Sequence, residues 1–350
     1  MPKDDLARSY TQYQCQCFLQ QWWLPKVLNA AAVFLCPIYL HRLRKGQCGS
    51  VLEHRPGTAV LVFSGQDTIV PDSLREEFSI TQDTDFQNQM LLTEDDLVYL
   101  KKLRRRYPFA FYFRFKCMLK VAMYRSVVTR YAPKAIICSE EYSFTSSLLT
   151  DYCCQLGVEH INVMHGDKIF DIRDSFFRFD RFYVWDRHYI DLFTDMGASP
   201  EQFLVAVPPC LQLDTGKNLE KTVDYTYYLG NETQKDVLRI VNILQQLQQR
   251  GYTVSIRPHP LYNTHSKFLF QDSNGLLVEN AREISIEDSL LRTHHAVSLY
   301  STVLLQAHLN GIGVVVDDVT NPEYYQMLKG LRFILLEYEH EMLSEIMSKE

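Results

Sequence analysis

Short apolar runs recur along this chain, and each is separated from the next by a longer stretch with helical periodicity. In the first half they fall at 58–63 (TAVLVF, closed by Ser64-Gly65), 134–138 (KAIIC), 159–164, 182–185 (FYVW) and 204–207. In the second half they fall at 225–229, 253–257, 275–279, 296–299 and 313–317. Helical stretches lie between them: most of 86–131, then 145–156, 187–195, 236–250, 285–292 and 302–310. The clearest is 236–250, where Val237, Ile240, Val241, Leu244 and Leu247 follow i, i+3, i+4, i+7 spacing ahead of Gly251. A strand–helix–strand order cannot close as a hairpin. It needs crossover connections, and so a parallel sheet covered on both faces. The expected fold is therefore α/β: two Rossmann-like lobes with parallel sheets facing a cleft.

Length and composition fit that reading. The 350 residues suit two domains, and 46% hydrophobic with 22% charged residues excludes disorder, collagen and a long coiled coil. Boundaries are expected at 1–57 (an N-terminal helical segment), 58–210 (a first lobe on the acceptor side) and 211–350 (a donor-binding lobe). The crossing follows Pro208-Pro209, with a polar linker over 208–223. A net charge of −6 argues against a general polyanion binder, and no nucleic-acid motif is present. Nine irregularly spaced cysteines suit a reduced, cytoplasmic setting, and the polar first residues do not form a secretory signal.

Residues 22–40, WWLPKVLNAAAVFLCPIYL, admit two readings. The uncharged run 27–40 is short for a membrane span, which needs about 20 apolar residues. It suits a buried core helix. It also suits a helix lying in a membrane interface, with Trp22 and Trp23 at one end and His41, Arg42, Arg44 and Lys45 at the other.

Charge is unevenly spread. Residues 66–100 hold nine acids against Arg75, whereas 101–130 hold ten cations and no acid, interleaved with aromatics. One reading is an amphipathic helix whose basic face pairs with the preceding acids. The other is a patch at Arg104, Arg105, Arg106 and Arg114 for an anionic acceptor or an anionic membrane.

Ligands of parallel α/β sheets bind at the carboxyl ends of the strands, which selects three clusters. Arg257-Pro258-His259-Pro260 follows strand 253–257; a guanidinium and an imidazole there suit phosphate, and His259 can protonate a departing oxygen, while a turn histidine with a structural arginine is the plainer reading. Ser301 and Thr302 open a helix after strand 296–299, where hydroxyls and free N–H groups attract an anion; an ordinary helix cap is the plainer reading. Gly230-Asn231 end the strand before helix 236–250 and form a third wall. In the first half, His165-Gly166 ends one strand and Ser139-Glu140-Glu141 the strand before it. His165, Glu140 and Glu141 are candidate bases, or else ordinary turn residues. Asp83-Thr84-Asp85 reads as surface charge. No zinc-hydrolase, dinucleotide, P-loop or serine-hydrolase motif occurs, so neither metal nor cofactor is expected.

Three stretches resemble the GT-B glycosyltransferase superfamily, nearest to bacterial capsule, teichoic-acid and sialic-acid-type transferases. They are 134–167 (strand, acidic turn, helix, then a strand ending in His-Gly), 179–209 (a strand–helix unit containing Val184-Trp185), and the pair VSIRPHP with AVSLYSTVLLQAHLNGIGVVV. In sialic-acid-type families a glycine follows the acidic pair; here Tyr142 does. The resemblance implies a metal-independent transferase moving a sugar from a nucleotide-activated donor, CMP or CDP type, onto a cell-surface glycan of capsule or lipopolysaccharide. It implies phosphate contacts at Arg257, His259, Ser301 and Thr302, and a base at His165, Glu140 or Glu141. The expected partners are a nucleotide-sugar donor and a glycan or glycolipid acceptor, with peripheral contact to an anionic membrane and no nucleic acid. The expected location is the cytoplasm, at the inner face of the cell membrane. The alternatives are a polyol-phosphate transferase, a sugar-nucleotide epimerase, or a non-catalytic glycan- or membrane-binding module.

Overall fold

The computed structural model describes residues 2–46, 57–63, 67–214, 216–217, 219–261, 265–270 and 275–349. The chain divides into two compact units, Met1–His165 with Phe170–Pro209, and Gly166–Ile169 with Cys210–Glu350.

The first unit runs α1 (Asp5–Leu19), α2 (Leu24–Arg44), β1 (Thr58–Leu61), α3 (Asp72–Glu77), β2 (Ser79–Gln82), α4 (Glu94–Arg106), α5 (Phe111–Tyr131), β3 (Ala135–Cys138), α6 (Ser146–Gln155), β4 (Glu159–Val163), β5 (Arg181–Val184), α7 (Arg187–Asp195) and β6 (Phe203–Val205). Its sheet has the order β2-β1-β3-β4-β5-β6, and every neighbouring pair is parallel. β1 and β3 are buried throughout, as parallel strands covered on both faces must be. Ala59, Leu61, Ala135, Ile137, Ile161 and Val163 form one apolar layer.

The second unit runs β7 (Val223–Tyr228), α8 (Gln234–Gln249), β8 (Val254–Arg257), β9 (Leu277–Val278), α9 (Ile286–Leu291), β10 (Thr293–Ser298), α10 (Thr302–Leu309), β11 (Gly313–Val316), α11 (Pro322–Gly330), β12 (Glu341–Met342) and α12 (Leu343–Ser348). Its sheet is also parallel, in the order β12-β11-β10-β7-β8-β9. Within the unit this is the doubly wound Rossmann order, whose direction of growth reverses between β7 and β10. α8 forms as its periodicity requires. Thr233 caps its first turn, accepting from the Asp236 N–H at 3.3 Å, and Gly251 ends it with φ +94°. Val237, Ile240, Val241, Leu244 and Leu247 pack on Tyr225, Tyr227, Val254 and Ile256. Burying each such side chain contributes about 1.5–3 kcal/mol relative to leaving it in water.

The structure departs from the expectations in four places. The long helix of 86–131 is two helices, because Pro108 has no N–H to continue α4 and restricts the residue before it. β2 and β12 were not expected: SITQ is an edge strand with little buried surface, and β12 has two residues. The core-helix reading of 22–40 fails, since among the described residues of α2 only Ala32 and Leu43 are buried. Asp83 is no surface charge; it is buried and ion-paired with Arg130. The turn at Ser64-Gly65 lies outside the described residues.

The helices of 1–57 pack on the first unit. α1 lies on α6 and α2 on α5. The acidic and basic stretches are partly paired: Asp96 receives Arg125 at 2.7 Å and Glu94 receives Arg44 at 3.0 Å. Lys101, Lys102, Arg104 and Arg105 stay exposed.

Candidate active site

In the first unit the strand order reverses between β1 and β3, so the turn after β3 is where a ligand can meet the sheet. That turn carries Ser139, Glu140 and Glu141, and the neighbouring β4 ends before His165. Three groups hold the turn. Asn162, inside β4, accepts from the Glu140 N–H at 2.8 Å and donates to the Glu141 carboxylate at 3.0 Å. Gln12 of α1 donates to the Glu141 carbonyl at 2.9 Å, and Ser146 donates to the Glu140 carbonyl at 2.6 Å.

The two acids then separate. The Glu140 carboxylate is neutralised by Lys120 at 2.5 Å. The Glu141 carboxylate is fully buried and lies 3.3 Å from His165 Nδ1, which also sits 2.7 Å from the Ser139 hydroxyl. Nδ1 thus faces both the Ser139 hydroxyl and the Glu141 carboxylate. The His165 side chain is 40% exposed. A buried carboxylate beside a part-exposed imidazole suits a general base. A Cβ placed on Gly166 would meet no described atom within 4 Å, so the backbone after the histidine stands open.

Behind this site lies a second histidine. His160 is wholly buried, with Nε2 3.0 Å from the Tyr124 hydroxyl and Nδ1 2.8 Å from the Thr150 hydroxyl. Burial, helped by the Lys120 charge, lowers its pKa to about 3, so it is a neutral structural group.

In the second unit a cavity of about 360 Å³ opens where β7 and β10 part. Asn231, Glu232 and Thr233 line it after β7, Leu299 and Tyr300 after β10, and Thr320, Asn321 and Tyr324 beyond β11. Gly230 brings two of these walls together: a Cβ there would lie 3.6 Å from the Tyr300 carbonyl. Glu232 Oε2 is buried and has no hydrogen-bond partner among the described residues. Burial pushes the Glu232 carboxyl upward first. The N–H groups of Glu232 and Gly230 oppose this, and the nearby Asp317 and Asp236 charges add to it.

Ser301 caps α10, accepting from the Val303 N–H at 3.2 Å with Thr302 at the first helical position. The hydroxyl proton of Ser301 and the first N–H groups of the helix remain donors for an anion. His259 lies just past β8, the strand beside β7. Its Nδ1 accepts from the Leu261 N–H at 3.1 Å, so in the neutral ring the proton is on Nε2. Burial lowers its pKa, which favours that neutral donor form.

Arg257 behaves otherwise than expected. Its guanidinium turns into the unit, 3.1 Å from Glu279 and 2.8 Å from the Ile284 carbonyl, and the pair is almost wholly buried. A charge already compensated inside the core is not offered to a phosphate. Of the basic patch, Arg106 is held by Asp4 at 2.6 Å and Arg114 lies over the Phe111 ring at 4.6 Å, while Arg104 and Arg105 are exposed.

Sequence reasoning named Ser139 without giving it a role and missed Asn162, Glu232 and Tyr324. Two signals were available. His160 and Asn162 are polar residues two apart in a strand that must be buried, so they share one face. Glu232 stands two residues after a strand-end glycine, where the sheet rule places ligands.

No family model matches the chain, and no curated protein does. Solved structures do resemble it. The glycosyltransferase of kitacinnamycin superposes with a TM-score of 0.50 and 11% identity over 82% of this chain and 86% of that one. The fold is GT-B-like. Weaker likenesses are to the UDP-GlcNAc 2-epimerase from Neisseria meningitidis bound to UDP-GlcNAc (TM-score 0.45, 11% identity, 80% of this chain, 92% of that one) and to the wall teichoic acid polymerase TagF (0.45, 10%, 83% and 77%).

Proposed function

We propose that this GT-B-like protein is a glycosyltransferase that draws a sugar from a nucleotide donor held by the second unit. The observation that carries this reading is the buried Glu232 Oε2, without a hydrogen-bond partner among the described residues, in a cavity at the strand-order reversal. A carboxylate so placed needs hydroxyl donors, and a ribose supplies two of them on adjacent carbons. Tyr300 and Tyr324 offer ring faces for the base. The N-terminus of α10 with Ser301 and Thr302, and the Nε2–H of His259, suit the phosphates. Developing charge on the departing phosphate is stabilised there, which is usually the largest single catalytic term.

The first unit supplies the base. His165 Nε2 takes the proton of an acceptor hydroxyl as its oxygen bonds to the sugar carbon, and Glu141 stabilises the imidazolium that results. Cytidine nucleotides and a cell-surface glycan acceptor are the finer expectation, from the resemblance of the His-Gly and His-Pro turns to capsule and teichoic-acid transferases. The first N–H groups of α10, the Ser301 and Thr302 hydroxyls and the Nε2–H of His259 serve the phosphates.

A thermal-shift panel of CMP, CDP, UDP and GDP tests the donor side. A nucleotide at 100-fold over its Kd adds about 2.7 kcal/mol of stability, and a panel without a shift rejects the donor site. Incubation of the donor sugar-nucleotide without acceptor then separates two activities of this fold. An isomerised sugar-nucleotide as product would replace the transferase with an epimerase.

A further inference from the structure

A surface helix of a globular protein turns its apolar stripe inward and its polar side outward. α2 breaks this rule. Its outward stripe is Val27, Ala30, Ala31, Phe34 and Ile38, spaced i, i+3, i+4, i+7, i+11, with Phe34 73% and Ile38 63% exposed. Its inner side is already satisfied. Asn29 donates to the Phe109 carbonyl at 3.1 Å and accepts from the Tyr112 N–H at 3.0 Å, and Tyr39 packs edge-on against Phe115. The exposed apolar surface continues past the N-terminal end of the helix through Phe18, Leu19, Trp22 and Trp23.

The surroundings are cationic. Lys26 sits 4.8 Å over the Trp22 ring. His41, Arg42, Arg44 and Lys45 close the other end of the helix, and Arg44 is held by Glu94. α2 packs along α5, which carries Arg114, and α5 packs on α4, which carries Arg104. Among the described residues, Lys26, Arg42, Lys101, Lys102, Arg104, Arg105 and Arg114 have no carboxylate partner. Asp4 and Glu94, at the ends of this region, are taken by Arg106 and Arg44.

We propose that the outward face of α2, with the unpaired cations of α4 and α5 beside it, seats this protein on an anionic lipid bilayer. The helix is long and apolar enough to span a membrane. Its inner side is engaged with α5 along its length, however, so it lies in the interface plane, with its rings among the acyl chains and the cations at the headgroups. A second copy of the chain suits this face less well. Two such surfaces brought together would bury Arg42, Arg104 and Arg105 against their own kind. The inference does not depend on the donor reading, because lipid binding needs no nucleotide.

Vesicle flotation of the full chain tests it, with phosphatidylcholine alone and with phosphatidylglycerol added. The wild type is expected to float with the anionic vesicles, less so as salt rises, and tryptophan emission from Trp22 and Trp23 to shift to the blue. Phe34→Asp with Ile38→Asp removes flotation. Lys101→Glu, Lys102→Glu, Arg104→Glu and Arg105→Glu together weaken it by at least about tenfold. Both variants change exposed side chains, and an unchanged melting temperature shows that they fold. Absence of wild-type flotation, or flotation indifferent to both variants, overturns the proposal. So does a dimer that forms without lipid and is abolished by Phe34→Asp.

Discussion

His165 Nδ1 stands 3.3 Å from a carboxylate oxygen of Glu141, a side chain shut off entirely from solvent. A buried carboxylate is costly unless hydrogen bonds and an opposite charge compensate it. Here Asn162 supplies a hydrogen bond at 3.0 Å, and an imidazolium at His165 would supply the charge. An imidazolium formed at His165 in the proposed reaction would face that carboxylate.

Glu141→Gln keeps the shape and removes the charge. Turnover is expected to fall by about 10²–10⁴, with little change in nucleotide affinity, since Glu141 belongs to the first unit. Initial rates beside a nucleotide titration read both quantities. A kcat within a factor of two of wild type would remove Glu141 from the mechanism.

Glu232→Gln is expected to separate stability from binding. The raised carboxyl loses stability as pH rises above its unfolded value, because the unfolded chain ionises more readily. The glutamine variant without ligand should therefore melt higher than wild type at neutral pH, with the gain vanishing below about pH 4. Its nucleotide affinity should drop by the roughly 1.5–3 kcal/mol of a charge-assisted hydrogen bond. Calorimetry on both proteins decides; unchanged affinity would mean that Glu232 does not face the ligand.

Arg257→Ala should act on folding. It leaves Glu279 buried with only Ser289, which donates at 2.5 Å, and breaking a buried pair costs about 3–5 kcal/mol. The double variant Arg257→Met with Glu279→Leu should recover much of that loss in denaturant titrations. A phosphate ligand would show the opposite pattern, with weakened nucleotide binding at unchanged stability.

Asp96 makes the first unit sensitive to acid. Burial pushes its carboxyl up, but hydrogen bonds from Arg125, Tyr152 and the Thr93 N–H outweigh it and hold the group below the ordinary carboxylate range. The folded pKa is depressed, so this contribution is complete above about pH 4 and is lost as pH falls through the folded value. Asp96→Asn should lower stability at neutral pH and flatten the slope of stability against pH in the acid range, as measured by urea denaturation.

The strand and helix pattern was legible because parallel strands buried on both faces must be nearly continuous apolar runs, and KAIIC and TAVLVF are such runs. SITQ escaped because an edge strand needs no such run. The strand ends were legible for the same topological reason, and His165, Glu141, His259 and Ser301 do lie at or just past them. What one residue does with a neighbour far away in sequence was not. Arg257 faces Glu279, Glu140 faces Lys120 and Asp83 faces Arg130, and no local spacing announces these pairs. The alternatives left open for 101–130 divide along the chain: Arg125 and Arg130 take acids, while Lys101, Lys102, Arg104 and Arg105 do not.

The two sheets reverse their strand order at different places, β1 beside β3 in one and β7 beside β10 in the other. The proposed donor-side segments 230–233, 299–302 and 320–324 follow the ends of β7, β10 and β11 and lie outside the hydrogen-bonded ladders. If the donor proposal holds, positions such as the exposed Asn231 and the half-buried Tyr300 are where nucleotide preference could be altered with the sheet left as it is.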